Sequence, residues 1–190
     1  EVRLLETDVD LDDEPDFGGD GYLNAENVAQ GGTNTSITIS NTDVRLNTQY
    51  IGMAVYLTAG KGAGQYGIID SYNSGTKIAN VVKASDGSAG WDHVIGSAIE
   101  ATLDDTTNYS IEPALTFAAP PSGLYADTTK ARAVVEDERI VAITIWDPGS
   151  GYSSAPTMTV TDPNNTIEVP HTVRIADGVL GQPTWTSRGE

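Results

Sequence analysis

The sequence contains no cysteine among its 190 residues. Disulfide bonds, thiol nucleophiles and cysteine-ligated zinc are therefore excluded, and the absence is compatible with any compartment. Histidine is nearly as scarce: His93 and His171 are the only two, and neither has a partner at the spacing of a metal site. The residue types give no pattern for a zinc site or a cysteine-based catalyst.

Basic residues are also few. Ten Lys and Arg stand against 27 Asp and Glu, so the formal net charge is -17 and the pI is about 4.1. Nucleic-acid backbones and anionic membrane surfaces both select cationic proteins, so we expect neither as a partner. No apolar run approaches the roughly 20 residues that a membrane-spanning helix needs.

Helical periodicity is missing too. Val, Ile and Thr are plentiful beside 20 Gly and 9 Pro, and no segment of about ten residues carries apolar positions at helical spacing. The composition predicts a mostly β fold, with antiparallel strands in small sandwich or barrel-like modules and an irregular acidic N-terminal segment. The clearest predicted strands are 36–40, 50–59, 66–72 and 76–84.

Composition shifts divide the chain into four parts. The adjacent prolines of "AAPPSG" mark the main boundary, because neither a sheet interior nor a helix accommodates them. The predicted parts are an acidic arm and linker (1–35), a β module with a glycine-rich turn (36–117), a Pro/Gly linker (118–130) and a β-repeat of about 40 residues with the start of a second copy (131–190).

The stretch "GAGQYG" matches the dinucleotide-binding pattern G-x-G-x-x-G through Gly62, Gly64 and Gly67, and Asp86 follows about twenty residues later. That site requires a helix directly after the glycines, because the helix N-terminus holds the pyrophosphate. Here the pattern continues as strand, turn and strand. We therefore interpret the stretch as a β-turn and predict no cofactor.

The acidic N-terminal run places Asp8, Asp10 and Asp12 at alternate positions, as at the start of a calcium loop. The sixth and twelfth positions of such a loop need Gly and Glu, but hold Asp13 and Gly19. A solvated acidic arm is the favoured interpretation. Calcium at these three aspartates is the alternative, and it is the only metal for which the sequence offers candidates.

No catalytic residue emerges from the sequence. No G-x-S-x-G nucleophile elbow is present, and the neighbouring Asp104 and Asp105 would point to opposite faces of a strand. Trp91, Asp92 and His93 form a small cluster that a sugar could contact, although a loop anchored by a buried Trp is the commoner arrangement. The sequence therefore predicts a protein that is not an enzyme.

The C-terminal part contains a weak internal repeat. Residues 135–150 align without gaps over residues 175–190, with an offset of 40 and a shared strand–turn–strand pattern. The matched residues are Asp137 with Asp177, Ile140 with Leu180, Thr144 with Thr184 and Gly149 with Gly189. We expect the natural chain to continue into the second copy. Because it begins at Glu1 without a signal-peptide pattern, we also expect a processed N-terminus or a piece of a longer chain.

Two stretches resemble structural proteins of tailed-bacteriophage virions. "YIGMAVYLTAGKGAGQYGIIDSYNSGTKIANVVKASDGSAGWDHV", followed by "TTNYSIEP", is similar to a tail and baseplate module with a "GAGQ" turn, over residues 50–113. "RIVAITIWDPGSGYSSAPTMTVTDPN" resembles the "GSGY-SAP" β-repeat of phage fibre and baseplate proteins, over residues 131–165. The tight turn "VEDER" departs from the Asp-Gly turn usual in such repeats.

The resemblance implies a structural role within a virion, through contacts with copies of itself as a homo-oligomer and with other virion proteins. It implies structural turns at Gly60, Gly62, Gly64, Gln65, Gly67, Gly149 and Gly151. It implies aromatic anchors at Trp91, Tyr109, Trp146 and Tyr152. Two alternatives stay open: a carbohydrate-binding module for host surface glycans, and an acidic filament or surface-layer protein.

Overall fold

The computed structural model describes residues 24–94, 100–121, 128–136, 138–154 and 156–163, and the backbone of 167–169, 173–176 and 179–183. In these ranges the chain forms strands and turns without a helix, so none of them contains a helix able to cross a membrane. The strands are β1 (Ala25–Val28), β2 (Gly31–Thr33), β3 (Ser36–Thr38), β4 (Ala54–Ala59), β5 (Gln65–Asn73), β6 (Ile78–Val82), β7 (Asp92–His93), β8 (Thr102–Leu103), β9 (Asn108–Glu112), β10 (Ala114–Phe117), β11 (Lys130–Glu136), β12 (Arg139–Asp147), β13 (Met158–Thr161), β14 (Ile167–Val169), β15 (Val173–Ala176) and β16 (Val179–Pro183).

The predicted fold class is confirmed: the protein is mostly β and its sheets are antiparallel. Its largest sheet has nine strands in the order β1-β9-β4-β5-β6-β3-β2-β8, with β7 paired to β5. The path ends at β1 and β8, which do not pair with each other in the part of the chain that the structure describes. The sheet is therefore open.

The chain divides into two compact units. Among the described residues, the first unit comprises those from 24 to 114 with 162 and 163, and the second comprises those from 115 to 161 and from 167 to 183. The predicted arm and linker at 1–35 must be corrected, because β1 and β2 belong to the nine-stranded sheet. Both strands are only three or four residues long, and β1 pairs with β9, some 80 residues away, so no local pattern marks it. The acidic run before residue 24 lies outside the described residues.

The predicted linker at 118–130 is described only at its two ends. Residues 122–127 lie outside the described ranges, and β11 already begins at Lys130.

The first unit is organised around an apolar core on one face of the large sheet. Alternate residues of β6 and β3 are buried, as the two-residue period of a strand requires. Full burial of each large side chain contributes about 1.5–3 kcal/mol, so this core is the main source of stability. The core residues are Ala29, Ile37, Ile39, Tyr50, Met53, Val55, Leu57, Ile69, Tyr72, Ala79, Val81, Trp91, Leu103, Tyr109 and Ile111.

In the second unit, β11 and β12 form a hairpin. Glu136 lies opposite Arg139, so only two residues make the turn, and Glu138 has a φ of 65°. One face of the hairpin is buried with β13, which belongs to the three-stranded sheet β10-β13-β14. The buried residues are Ala131, Ala133, Val135, Ile140, Ile143, Met158 and Val160.

The hairpin of β15 and β16 has the same register as that of β11 and β12, displaced by 40 residues. Its three pairs are Ala176 with Val179, Ile175 with Leu180 and Val173 with Pro183. The corresponding pairs in the first hairpin are Glu136 with Arg139, Val135 with Ile140 and Ala133 with Ile143. Both hairpins also carry a register shift at the same place, between 134 and 135 in one and between 173 and 175 in the other. This agreement supports the predicted repeat.

Candidate interaction surface

The glycine-rich turn joins β4 to β5. Gly60, Gly62 and Gly64 have φ values of 73°, 80° and 89°, and the N–H of Gly64 donates to the carbonyl of Leu57. A Cβ placed on Gly60 would lie 1.7 Å from the carbonyl oxygen of Thr106, so only glycine fits there. β5 follows at once in place of the helix that a dinucleotide site needs.

Two other groups of predicted turn residues have distinct positions. Gly67 lies inside β5, opposite Val55. Gly149 and Gly151 have φ values of 67° and 81° in the connection from β12 to β13. The predicted turn at Gly67 is therefore wrong, because this residue belongs to a strand, whereas Gly149 and Gly151 lie in a connection.

Gln65 is buried at the end of the glycine-rich turn. Its Oε1 accepts a hydrogen bond from the N–H of Glu100, so the amide connects this turn to a distant segment. Among the described residues, its Nε2 has no hydrogen-bond partner. The buried amide therefore stabilises the turn through its oxygen alone.

The aromatic side chains singled out in the sequence lie in packed positions. Trp91 is 3% exposed and its indole N–H donates to the carbonyl of Thr33 at 3.0 Å. The hydroxyl of Tyr152 accepts from the N–H of Thr129 at 3.2 Å, and Trp146 is half-buried on β12. The Trp91 contact ties β2 to the segment before β7.

The sugar-contacting cluster does not form at Trp91. The indole is buried, and the carboxylate of Asp92 accepts hydrogen bonds from both the N–H and the hydroxyl of Ser85. Only His93 is exposed. Every Phe, Tyr and Trp side chain in the ranges where burial is described is buried or half-buried, so none of these rings is exposed there for a sugar to stack on.

The carboxylates near the turns hold the backbone. Asp104 accepts from the N–H and the hydroxyl of Thr106, and these bonds lower the pKa of its carboxyl. Asp86 has the same arrangement with Ser88, and its pKa is lowered for the same reason. The described ranges contain no group of three or more potential metal ligands, and Asp8, Asp10 and Asp12 lie outside them.

A network of polar side chains surrounds Asp43 in the loop between β3 and β4. Its carboxylate accepts from the hydroxyl of Tyr50 at 2.5 Å and from the N–H of Arg45 at 3.0 Å, and the hydroxyl of Tyr72 lies 3.5 Å away. The guanidinium of Arg45 lies 3.6 Å from the carboxylate and 5.6 Å from the centre of the Tyr50 ring. The two tyrosine rings meet edge to face at 5.2 Å.

The environment of this network strongly disfavours the deprotonated form of its tyrosine side chains. Burial, followed by the hydrogen bond to Asp43, raises the pKa of Tyr50 well above its usual range. Burial, followed by the negative charge of Asp43, raises the pKa of Tyr72 to about 12, and burial raises the pKa of Tyr109. The hydroxyls of Tyr50 and Tyr72 are therefore neutral at neutral pH and donate to Asp43, whereas that of Tyr109 accepts from the N–H of Ser40.

The loop makes further hydrogen bonds, to the turn between β5 and β6 and within itself. The amine of Lys77 donates to the carbonyl of Asp43 at 2.8 Å, and the N–H of Ser74 donates to the side-chain oxygen of Asn47 at 2.7 Å. The N–H of Asp43 also donates to the carbonyl of Ser40 at 3.1 Å. A long connection is thereby held in one conformation.

This fastened loop presents apolar side chains to solvent. Val44 and Leu46 are 87% and 66% exposed, and Ile51 and Ile78 are also exposed. We call Val44 and Leu46 the apolar tip. Ile51 lies near the end of the same loop, before β4, whereas Ile78 lies on β6, on the face opposite the buried Ala79.

The sequence did not predict the network or the apolar tip. Asp43 and Tyr72 are 29 residues apart, and no local spacing connects them. The only available signal was the apolar Val44 and Leu46 within the otherwise polar run "NTDVRLNTQ". Two isolated apolar residues in a loop do not by themselves predict a surface.

Comparison with known proteins gives no family: no protein-family model, curated protein or solved structure matches this chain.

Proposed function

We propose that the chain is a structural component of a phage-like virion, such as a tail fibre or baseplate, and that it acts through protein–protein assembly. The placement in a virion depends on the sequence resemblance over residues 50–113 and 131–165. The observation that supports assembly is the apolar tip, because exposed apolar groups on a fixed loop are typical of a contact surface.

The chemistry of the described residues favours this role over catalysis. An acid or base catalyst needs a pKa near the working pH. In the described ranges the environment raises the pKa of three tyrosines and lowers the pKa of three aspartates, away from neutrality in each case: Tyr50, Tyr72, Tyr109, Asp86, Asp104 and Asp147. The proposal accordingly assigns no reaction to the chain.

The carbohydrate-binding alternative loses its main support. It depends on Trp91 and Asp92, but the first is buried and the second is bonded to Ser85. A filament or surface-layer protein would share the fold and the assembly mechanism, and would differ in where the protein resides.

Localisation tests the proposal. Particles from the source culture would be purified by density gradient, and the chain would be sought with an antibody and by cross-linking through Lys61, Lys77 and Lys83. We expect the chain to co-sediment with particles and to cross-link to other particle proteins. Recovery only in the cell-envelope fraction would favour the surface-layer alternative, and recovery only as free protein would contradict assembly.

A further inference from the structure

We draw no further inference here: the strongest candidate, the apolar tip of Val44 and Leu46 on the loop between β3 and β4, carries nothing, because nothing in the part of the chain that the structure describes shows what covers these exposed side chains.

Discussion

Replacing Asp43 with alanine should lower the free energy of unfolding of the first unit by about 3 kcal/mol. The carboxylate accepts from Tyr50 and from the N–H of Arg45, and its side chain is only 6% exposed. A hydrogen bond to a charged group contributes about 1.5–3 kcal/mol, and leaving the buried Tyr50 hydroxyl without its acceptor costs about 1–3 kcal/mol. Asp43→Asn keeps an acceptor and should cost about 1 kcal/mol.

Urea unfolding would measure these losses. With Trp146 and Trp185 changed to Phe, the fluorescence of Trp91 reports the first unit alone. Asp86→Ala is the matched control, because Asp86 also accepts a backbone and a hydroxyl bond but is exposed. We expect it to cost less than about 1 kcal/mol.

A double-mutant cycle tests the specific contact. Asp43→Ala and Tyr50→Phe should be coupled by about 1–2 kcal/mol, because each removes the partner of the other. Additive losses would refute the reasoning, as would an Asp43→Ala cost no larger than that of Asp86→Ala. In either case the network would be a consequence of the loop conformation and not its cause.

Gly60→Ala should cost at least about 2 kcal/mol more in urea unfolding than Gly87→Ala. Both glycines have a φ of 73°, but a Cβ on the first would lie 1.7 Å from a carbonyl oxygen and one on the second would contact nothing within 4 Å; equal costs would contradict the clash. The raised pKa of Tyr72, about 12 against 10.0, means that its neutral form stabilises the fold fully below pH 10 and that this stabilisation is lost as the pH rises through about 12. Tyr72→Phe should therefore flatten the alkaline loss of stability, and an unchanged alkaline profile would be the contrary result. Burial alone would raise the pKa of Asp147, but the hydrogen bonds from Lys130 and the N–H of Gly149 outweigh it, so the pKa is lowered. The ionised carboxylate therefore stabilises the fold above pH 3.8, and this stabilisation is lost as the pH falls through the lowered pKa. Lys130→Met should cost about 1 kcal/mol at pH 7 and less at low pH, in thermal melts at both pH values; a cost independent of pH would argue against the ion pair.

Local patterns predicted the centre of the first unit well. The predicted strands at 66–72 and 76–84 correspond to β5 and β6, because the Asn-Ser-Gly turn and the alternation of apolar residues are both local signals. The predicted strand at 50–59 began too early. Tyr50 fits the apolar pattern and is buried in the core, but it lies in the loop, where its hydroxyl donates to Asp43, and β4 starts only at Ala54.

The remaining features depend on contacts between distant residues. β1 is paired to β9, and Trp91 is bonded to Thr33, 58 residues earlier, so neither arrangement leaves a trace in nearby sequence. The sequence failed to predict the apolar tip for a different reason. Whether an apolar residue in a loop is buried or exposed depends on which residues the loop contacts. Here the loop accepts hydrogen bonds from Lys77 and Ser74, which lie in the turn of a different hairpin.

The shared register of the two hairpins limits how this part of the chain can change in length. Removing residues 136–175 would join Val135 directly to Ala176, and Val135 would then face Leu180 as it now faces Ile140. A deletion or duplication of 40 residues therefore preserves every pair of the hairpin, whereas a change by one residue would reverse which side chains face the core. A change in length by one whole repeat therefore keeps the register of the hairpin.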